Sequence, residues 1–70
     1  MEITEITFGK HRYHQNAEIC EWLYHNVGDG GWHIRNVEEG KLWAWSVAFG
    51  NTTFYFKNPK DATMFLLRWS

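Results

Sequence analysis

The chain has 70 residues, a single cysteine and a formal net charge of −1. A chain of this length is expected to form one domain, residues 1–70, and one cysteine excludes an intramolecular disulfide and fits a reducing compartment. The balanced charge argues against a partner made of long nucleic acid, because such binders usually carry a strongly basic surface.

The chain shows no apolar run near the roughly 20 residues that a membrane span requires. Its first residues, "MEITEITFGK", lack the basic and apolar regions of a signal peptide. We therefore expect a cytoplasmic protein without a membrane partner.

The N-terminal part predicts a strand, a loop and a helix. Residues 2–8, "EITEITF", alternate with period two and are rich in β-branched side chains, as in a strand, whereas "GKHRYHQ" breaks the pattern and is expected to be a loop. Apolar side chains then recur at helical spacing, at Cys20, Leu23, Tyr24 and Val27. Asn16 is the expected N-cap, and Gly28 is expected to end the helix in the left-handed conformation.

The middle of the chain predicts three strands. "GDGG" is a flexible connection, "WHIRNV" (residues 32–37) a short strand, and "EEGK" a hairpin turn with Gly40 at positive φ. A second hairpin turn is expected at Gly50 and Asn51, which would pair Phe49 with Thr52 and Trp45 with Phe56.

This register sorts the side chains of the second hairpin by size. One face would carry the large residues Trp43, Trp45, Val47, Phe49, Phe54 and Phe56. The other face would carry Leu42, Ala44, Ser46, Ala48, Thr53, Tyr55 and Lys57. The aromatics of this hairpin are therefore expected to be mainly core.

The last segment, "NPKDATMFLLRWS", predicts a helix. Asn58 is the expected cap, Pro59 suits the first helical position, and Asp61 lies in the first turn near the positive end of the helix dipole. Its buried stripe is expected to contain Ala62, Phe65, Leu66 and Trp69.

The resulting order, β-α-β-β-β-α, predicts an α+β two-layer sandwich. A mostly antiparallel four-stranded sheet would carry two helices on one face. The crossover would place the first strand parallel to the second, and a three-stranded meander would follow. The pattern leaves open whether the first strand lies beside the second or beside the fourth.

The ending "FYFKNPKDATMFLLRW" resembles small uncharacterised accessory proteins of tailed phages, notably T4-like marine ones, that end in a K-D-A-x-M-F-x-L-R-W helix. The resemblance covers about the last third of the chain and brings no activity with it. It implies a protein that blocks or sequesters a component of the infected bacterial cell, such as a nucleotide signal of antiviral defence.

The basic segment before the first helix is a candidate anion site, because helix N-termini favour anions. It contains Lys10, His11, Arg12, Tyr13 and His14. Arg12 can grip a phosphate through two hydrogen bonds, and Tyr13 can stack on a base. The alternative is an ordinary solvated loop.

A second candidate follows the glycine-rich connection, where Trp32, His33 and Arg35 could close over a ligand as a small lid. The ring of Trp32, like that of Tyr13, could stack on a base. The alternative is that Trp32 packs at the edge of the sheet. Together the two segments predict one ligand site of eight residues.

The sequence predicts neither catalysis nor a cofactor. His11 and His14 form H-x-x-H, but no compact Cys/His spacing supplies the four ligands of a zinc site. Cys20 lies on the expected core stripe and is interpreted as a small buried hydrophobe. Similarly, Trp69 is expected to anchor the last helix while Arg68 faces water.

The small-residue face of the second hairpin is expected to be exposed and to favour homo-oligomers. The leading hypothesis is a non-catalytic phage accessory protein, active in host takeover or anti-defence, that sequesters a small anionic nucleotide-type signal. The alternatives are a protein–protein inhibitor of a host enzyme and a binder of single-stranded nucleic acid. The predicted register disfavours the last, because Tyr55 alone is aromatic on the helix-free face.

Overall fold

The computed structural model describes residues 2–69, of which His11 is described by its backbone only. In chain order the elements are β1 (Thr4–Phe8), a 3₁₀ helix (Lys10–Gln15), α1 (Asn16–Asn26), β2 (Gly30–Trp32), α2 (His33–Glu38), β3 (Trp43–Ala48), β4 (Asn51–Phe56) and α3 (Pro59–Trp69). The predicted α+β class and the mostly antiparallel four-stranded sheet are confirmed.

The strands are arranged in the order β1-β4-β3-β2. β4 pairs antiparallel with both β1 and β3, whereas β2 pairs parallel with β3. The first strand therefore lies beside the fourth, which was one of the two arrangements left open. The predicted meander is wrong, since β2 and β3 run in the same direction and α2 connects them.

The predicted strand at residues 32–37 is wrong because most of it forms α2. The side-chain carbonyl of Asn36 accepts a hydrogen bond of 2.7 Å from the backbone N–H of Trp32, which fixes the first turn of this helix on the end of β2. The predicted "EEGK" hairpin turn is likewise the end of α2, where Lys41 donates its N–H to the Asn36 carbonyl. Gly40 does have the expected positive φ, at 119°.

α2 packs on the face of the sheet opposite the aromatic core. A side chain at Gly31 would collide with Asn36, so the helix lies directly over the second residue of β2. Val37 of α2 and Ala44, which pairs with Gly31, are both fully buried. The prediction that the small-residue face is exposed is therefore wrong at Ala44. It is also wrong at Leu42, which packs against the main core.

The hairpin between β3 and β4 turns one residue earlier than predicted. Ala48 pairs with Asn51, and the two turn residues, Phe49 and Gly50, have φ angles of 54° and 81°. The predicted pairs are wrong by two positions on β4, so Trp45 lies opposite Phe54. Because two positions restore the same face of a strand, the predicted sorting of faces survives for every aromatic except Phe49.

The main core lies between the aromatic face of the sheet and the two long helices, α1 and α3. Phe65 of α3 is at its centre, with ring centroids 5.6 Å from Phe8 and 5.1 Å from both Phe54 and Phe56. Trp43 is also fully buried. The prediction that these aromatics are mainly core is confirmed.

The buried stripes of the two helices differ in part from the predicted ones. In α1 the buried residues are Ile19 and Leu23, whereas Tyr24 is exposed. In α3 the buried residues are Ala62, Phe65 and Trp69, as predicted, whereas Leu66 is 41% exposed.

Among residues 2–69, no helix has both the length and the apolar character that a membrane span requires.

Candidate functional site

A groove of about 640 Å³ lies between the first turns of α1 and the edge formed by β2 and β3. We call it the aromatic groove. Three residues of the predicted ligand site line it, namely Tyr13, His14 and Trp32. The remaining lining residues are Asn16, Ala17, Cys20, Tyr24, Trp45 and Val47.

The rings at the rim of the groove are open to solvent, in contrast to the core aromatics. Tyr13 is 48% exposed, Tyr24 54% and Trp32 55%. Trp32 rests its indole against that of Trp45, with ring centroids 4.8 Å apart and planes at 82°. Aromatic rings held in this way present surface on which a planar ligand can stack.

The position of Trp32 follows from how the chain enters β2. A side chain at Gly30 would collide with the indole of Trp43, so only glycine lets the strand lie this close to the core. The Trp43 indole N–H in turn donates a 2.7 Å hydrogen bond to the Gly28 carbonyl. These glycines allow close packing of β2 on Trp43. Trp32 lies at the sheet edge opposite Trp45, which is the packing that the alternative to a lid predicted.

Tyr13 and His14 reach the groove because the predicted loop is a 3₁₀ helix continuous with α1. The interpretation of Asn16 as an N-cap is wrong, since its own backbone is helical and its N–H donates to the Tyr13 carbonyl. Its side-chain amide instead donates a 2.9 Å hydrogen bond to the hydroxyl of Thr52. The N–H of Asn16 is therefore already bonded and is not one of the unpaired donors on which the predicted anion site depended.

Arg12 is held by its own segment rather than presented to a phosphate. Its Nε donates a 3.0 Å hydrogen bond to the side-chain oxygen of Gln15, and its guanidinium lies 4.5 Å from the ring centroid of Phe8. Lys10 is exposed near the β3–β4 turn, where the Cβ of its side chain would lie 3.5 Å from a methyl group at Gly50. The side chain of His11 lies outside the described part of the structure.

His33 and Arg35 are exposed on α2 and do not line the aromatic groove. Since α2 packs on the opposite face of the sheet, the eight predicted residues do not form one site. The structure brings together Tyr13, His14 and Trp32, and it places Lys10, Arg12, His33 and Arg35 elsewhere.

The predicted site omitted several lining residues. Cys20 and Tyr24 lie four residues apart on α1, a spacing that could have marked a second, flanking stripe beside the buried one. Burial raises the pKa of the Cys20 thiol from 9.0 to about 11, so it is protonated at neutral pH. Cys20 is half-buried and packs against the main core, so the interpretation as a small buried hydrophobe holds only in part.

The chemistry of the groove suits a flat and largely uncharged group. Among the described residues its lining contains no Lys, Arg, Asp or Glu. His14 offers ring nitrogens at the rim, and the side-chain carbonyl of Asn16 is buried without a hydrogen-bond partner. Among the side chains that the structure describes, which exclude that of His11, no three from His, Cys, Asp or Glu converge as metal ligands.

A smaller pocket of about 270 Å³ lies between α1 and α3 and has a mixed charge. Glu18, Glu21, His25 and Arg68 contribute to it. Trp69 is 4% exposed and anchors α3, as predicted, while the exposed Arg68 lies over its ring at 4.2 Å.

Comparison with known proteins finds no family model, no curated protein and no solved structure that matches this chain.

Proposed function

We propose that the aromatic groove binds the base of a small anionic nucleotide-type signal and that the protein sequesters this molecule without transforming it. The observation that carries the proposal is the meeting of Tyr13, His14 and Trp32, from two distant segments, in one groove. The rings of Tyr13 and Trp32 were predicted to stack on a base, and both are about half exposed there.

Stacking would supply most of the affinity. Each base stacked on an aromatic side chain contributes roughly 1–3 kcal/mol in nucleic-acid binders. The side-chain carbonyl of Asn16, which has no hydrogen-bond partner, is an acceptor in the groove lining for the amino group of a base.

The phosphate would lie at the mouth of the groove rather than inside it, because the described lining residues include no Lys or Arg. On that side the 3₁₀ helix presents the exposed His14. Contacts at such an exposed rim are weakened by salt, so we expect moderate affinity that falls as ionic strength rises.

The resemblance of residues 54–69 to phage accessory proteins supports the setting of this proposal. In that setting the protein acts in the cytoplasm of an infected bacterium and lowers the concentration of a nucleotide signal of host defence. Sequestration needs no catalytic group, only an affinity that matches the level of the signal.

Isothermal titration against a panel of cyclic nucleotides and cyclic ADP-ribose isomers tests the proposal. We expect heat with at least one of them, and loss of that heat in Trp32→Ala. Leu67→Gln is the matched control, since it removes an 84% exposed apolar side chain that does not line the groove. Folded wild-type protein that gives no heat with any member of the panel would overturn the proposal.

A protein–protein inhibitor is the second candidate, favoured by the exposure of Leu67 on α3. Large apolar side chains that remain this exposed are common at protein interfaces. Pull-down from host lysate with wild type and Leu67→Gln distinguishes this candidate. A stoichiometric protein partner that only the wild type retains would support it, and equal recovery by both would exclude this surface.

A further inference from the structure

Phe49 occupies a turn position that does not suit it. It has a φ of 54° at the β3–β4 turn, and Gly50 follows with a φ of 81°. Turns with two positive φ angles prefer Asn, Asp or Gly, and a bulky residue in the left-handed region is strained because its Cβ lies too close to the backbone. Phe49 is also 103% exposed, so its ring packs against none of the described residues. Within one copy this side chain only reduces stability.

The aromatic groove lies next to this protruding ring. Val47, which lines the groove, precedes Phe49 on the same strand and turn. At about 3.3 Å per residue, the two are roughly 7 Å apart along the chain. A protruding apolar ring and an apolar groove therefore occupy neighbouring parts of one surface.

We propose that two copies of this chain form a two-fold dimer in which Phe49 of each copy inserts into the aromatic groove of the other. Reciprocal insertion requires the ring and the groove to be close neighbours on one surface. A two-fold axis that passes between them then places the ring of each copy against the groove of the other. If they lay on different faces, the same contact would run head to tail and either close into a ring or continue as a filament.

The charges of the two surfaces allow this contact. Phe49 and its neighbours Ala48 and Gly50 are uncharged, and Lys10 lies beside Gly50. The described lining of the groove contains no Lys or Arg that would repel Lys10. The chain as a whole has a formal net charge of −1, so two copies repel each other only weakly. An anchor that carried a charge would lose its hydration on entering such a groove.

The available area indicates a reversible dimer. Phe49 is fully exposed, and Tyr13, Tyr24 and Trp32 are each about half exposed. Since an aromatic side chain buries on the order of 150–250 Å², these four offer on the order of 500 Å² per copy. About 1,000 Å² in total is at the low end of specific interfaces, so we expect a weak dimer that dissociates on dilution.

The dimer and the proposed ligand use the same groove, although the dimer does not require that ligand to exist. Where the proposed function holds, the nucleotide-type molecule displaces Phe49 and separates the copies. Each event can be measured without the other, the dimer by sedimentation and the ligand by titration heat.

Sedimentation velocity over a protein concentration series tests the dimer with wild type, Phe49→Asn and the control Leu67→Gln. We expect wild type and control to shift from monomer to dimer as concentration rises, and Phe49→Asn to dissociate at least tenfold more readily. Phe49→Asn places Asn before Gly50, the pair that this turn prefers. It should therefore melt at a higher temperature than wild type at the lowest concentration, which excludes misfolding as the cause.

Three results would overturn the inference. These are a wild type that stays monomeric, a Phe49→Asn variant that dimerises like wild type, and assembly that continues beyond the dimer. Loss of the dimer in Phe49→Asn without heat from any nucleotide would overturn the proposed function alone. Heat with a wild type that stays monomeric would overturn the dimer alone.

Discussion

Trp32 and Trp45 are opposite each other in the parallel pair of β2 and β3, and their indoles meet edge to face with centroids 4.8 Å apart. One wall of the aromatic groove is therefore fixed by strand pairing rather than by a loop. A ligand that enters finds Trp32 already oriented, so little side-chain entropy is lost on binding.

Replacing Trp32 should affect ligand binding more than folding. Trp32→Ala removes one stacking ring, which is worth roughly 1–3 kcal/mol, or about 5- to 150-fold in Kd. Because Trp32 is 55% exposed, we expect the free energy of unfolding to fall by only about 1 kcal/mol, the value of its contact with Trp45. Titration and urea denaturation measure the two effects, and Trp32→Phe should retain part of both. Unchanged affinity in Trp32→Ala would place the ligand elsewhere.

Replacing Arg12 should lower the stability of the protein, whereas replacing His14 should weaken ligand binding. Arg12→Ala removes the cation–π contact with Phe8, so we expect the free energy of unfolding to fall by about 0.5–1 kcal/mol, with a ligand Kd within about twofold of wild type. His14→Ala should leave stability unchanged and weaken the ligand several-fold, because His14 lines the groove. Titration of both folded variants measures the two ligand Kd values. A weaker ligand in Arg12→Ala but not in His14→Ala would indicate that Arg12 binds the phosphate.

Gly30→Ala should be strongly destabilising. The added methyl group would meet the indole of Trp43, which is fully buried and bonded to the Gly28 carbonyl. Overpacking of this kind typically costs about 1–3 kcal/mol, measured as a lower denaturation midpoint. Gly50→Asn is the matched control, since a Cβ there makes only an ordinary contact with Lys10 and Asn tolerates positive φ. Equal losses in both variants would show that the clash at Trp43 is relieved by a small shift.

The stability of the protein should decline at high pH through Cys20. Its pKa is raised to about 11 in the folded protein against an ordinary 9.0, so the unfolded chain loses the thiol proton first. The folded state then binds more protons than the unfolded state, and stability falls as pH rises from about 9 to 11. Below pH 9 the thiol is protonated in both states and adds no slope.

Denaturation midpoints of wild type and Cys20→Ala between pH 8 and 11 measure this slope. All other titratable groups are the same in the two proteins, so the difference between the two curves isolates Cys20. Parallel curves would show that the thiol titrates alike in the folded and unfolded chains.

The elements that the sequence predicted are those with strong local signals. Period-two alternation marked β1, Gly28 ended α1 at a φ of 132°, and Pro59 began α3. The two faces of β3 and β4 were also sorted correctly, because side-chain direction depends on parity and not on the exact turn.

The predictions that failed depended on contacts between distant residues. Residues 32–37 resemble a short strand locally, but the hydrogen bond from Trp32 to Asn36 and the burial of Val37 stabilise a helix. The turn moved to Phe49 and Gly50 although Gly50 and Asn51 suit a turn better by type. In the observed register Thr52 pairs with both Val47 and Phe8. The register of the β3–β4 hairpin therefore depends on pairing among three strands.

The sequence predicted two of the aromatic residues of the site but not how the residues of the site come together. Tyr13 and Trp32 were both chosen as stacking rings, and both line the groove. That they meet depends on β2 pairing beside β3 at the sheet edge, which no local pattern encodes. The cationic residues were misplaced for the same reason, since Arg12 folds back on Phe8 and Arg35 lies on a helix that was not predicted.

The pairing of β1 with β4 has a consequence for how the protein is made. Thr4 lies opposite Phe56, so the first strand cannot enter the sheet until the chain has been synthesised through β4. The β3–β4 hairpin has a short loop and can form early, whereas β1 remains unpaired until β4 is present. We expect the sheet to be completed by its first strand, in a late and comparatively slow step. During that interval α1 is tethered to an undocked strand, and the groove that depends on its first turns does not yet exist.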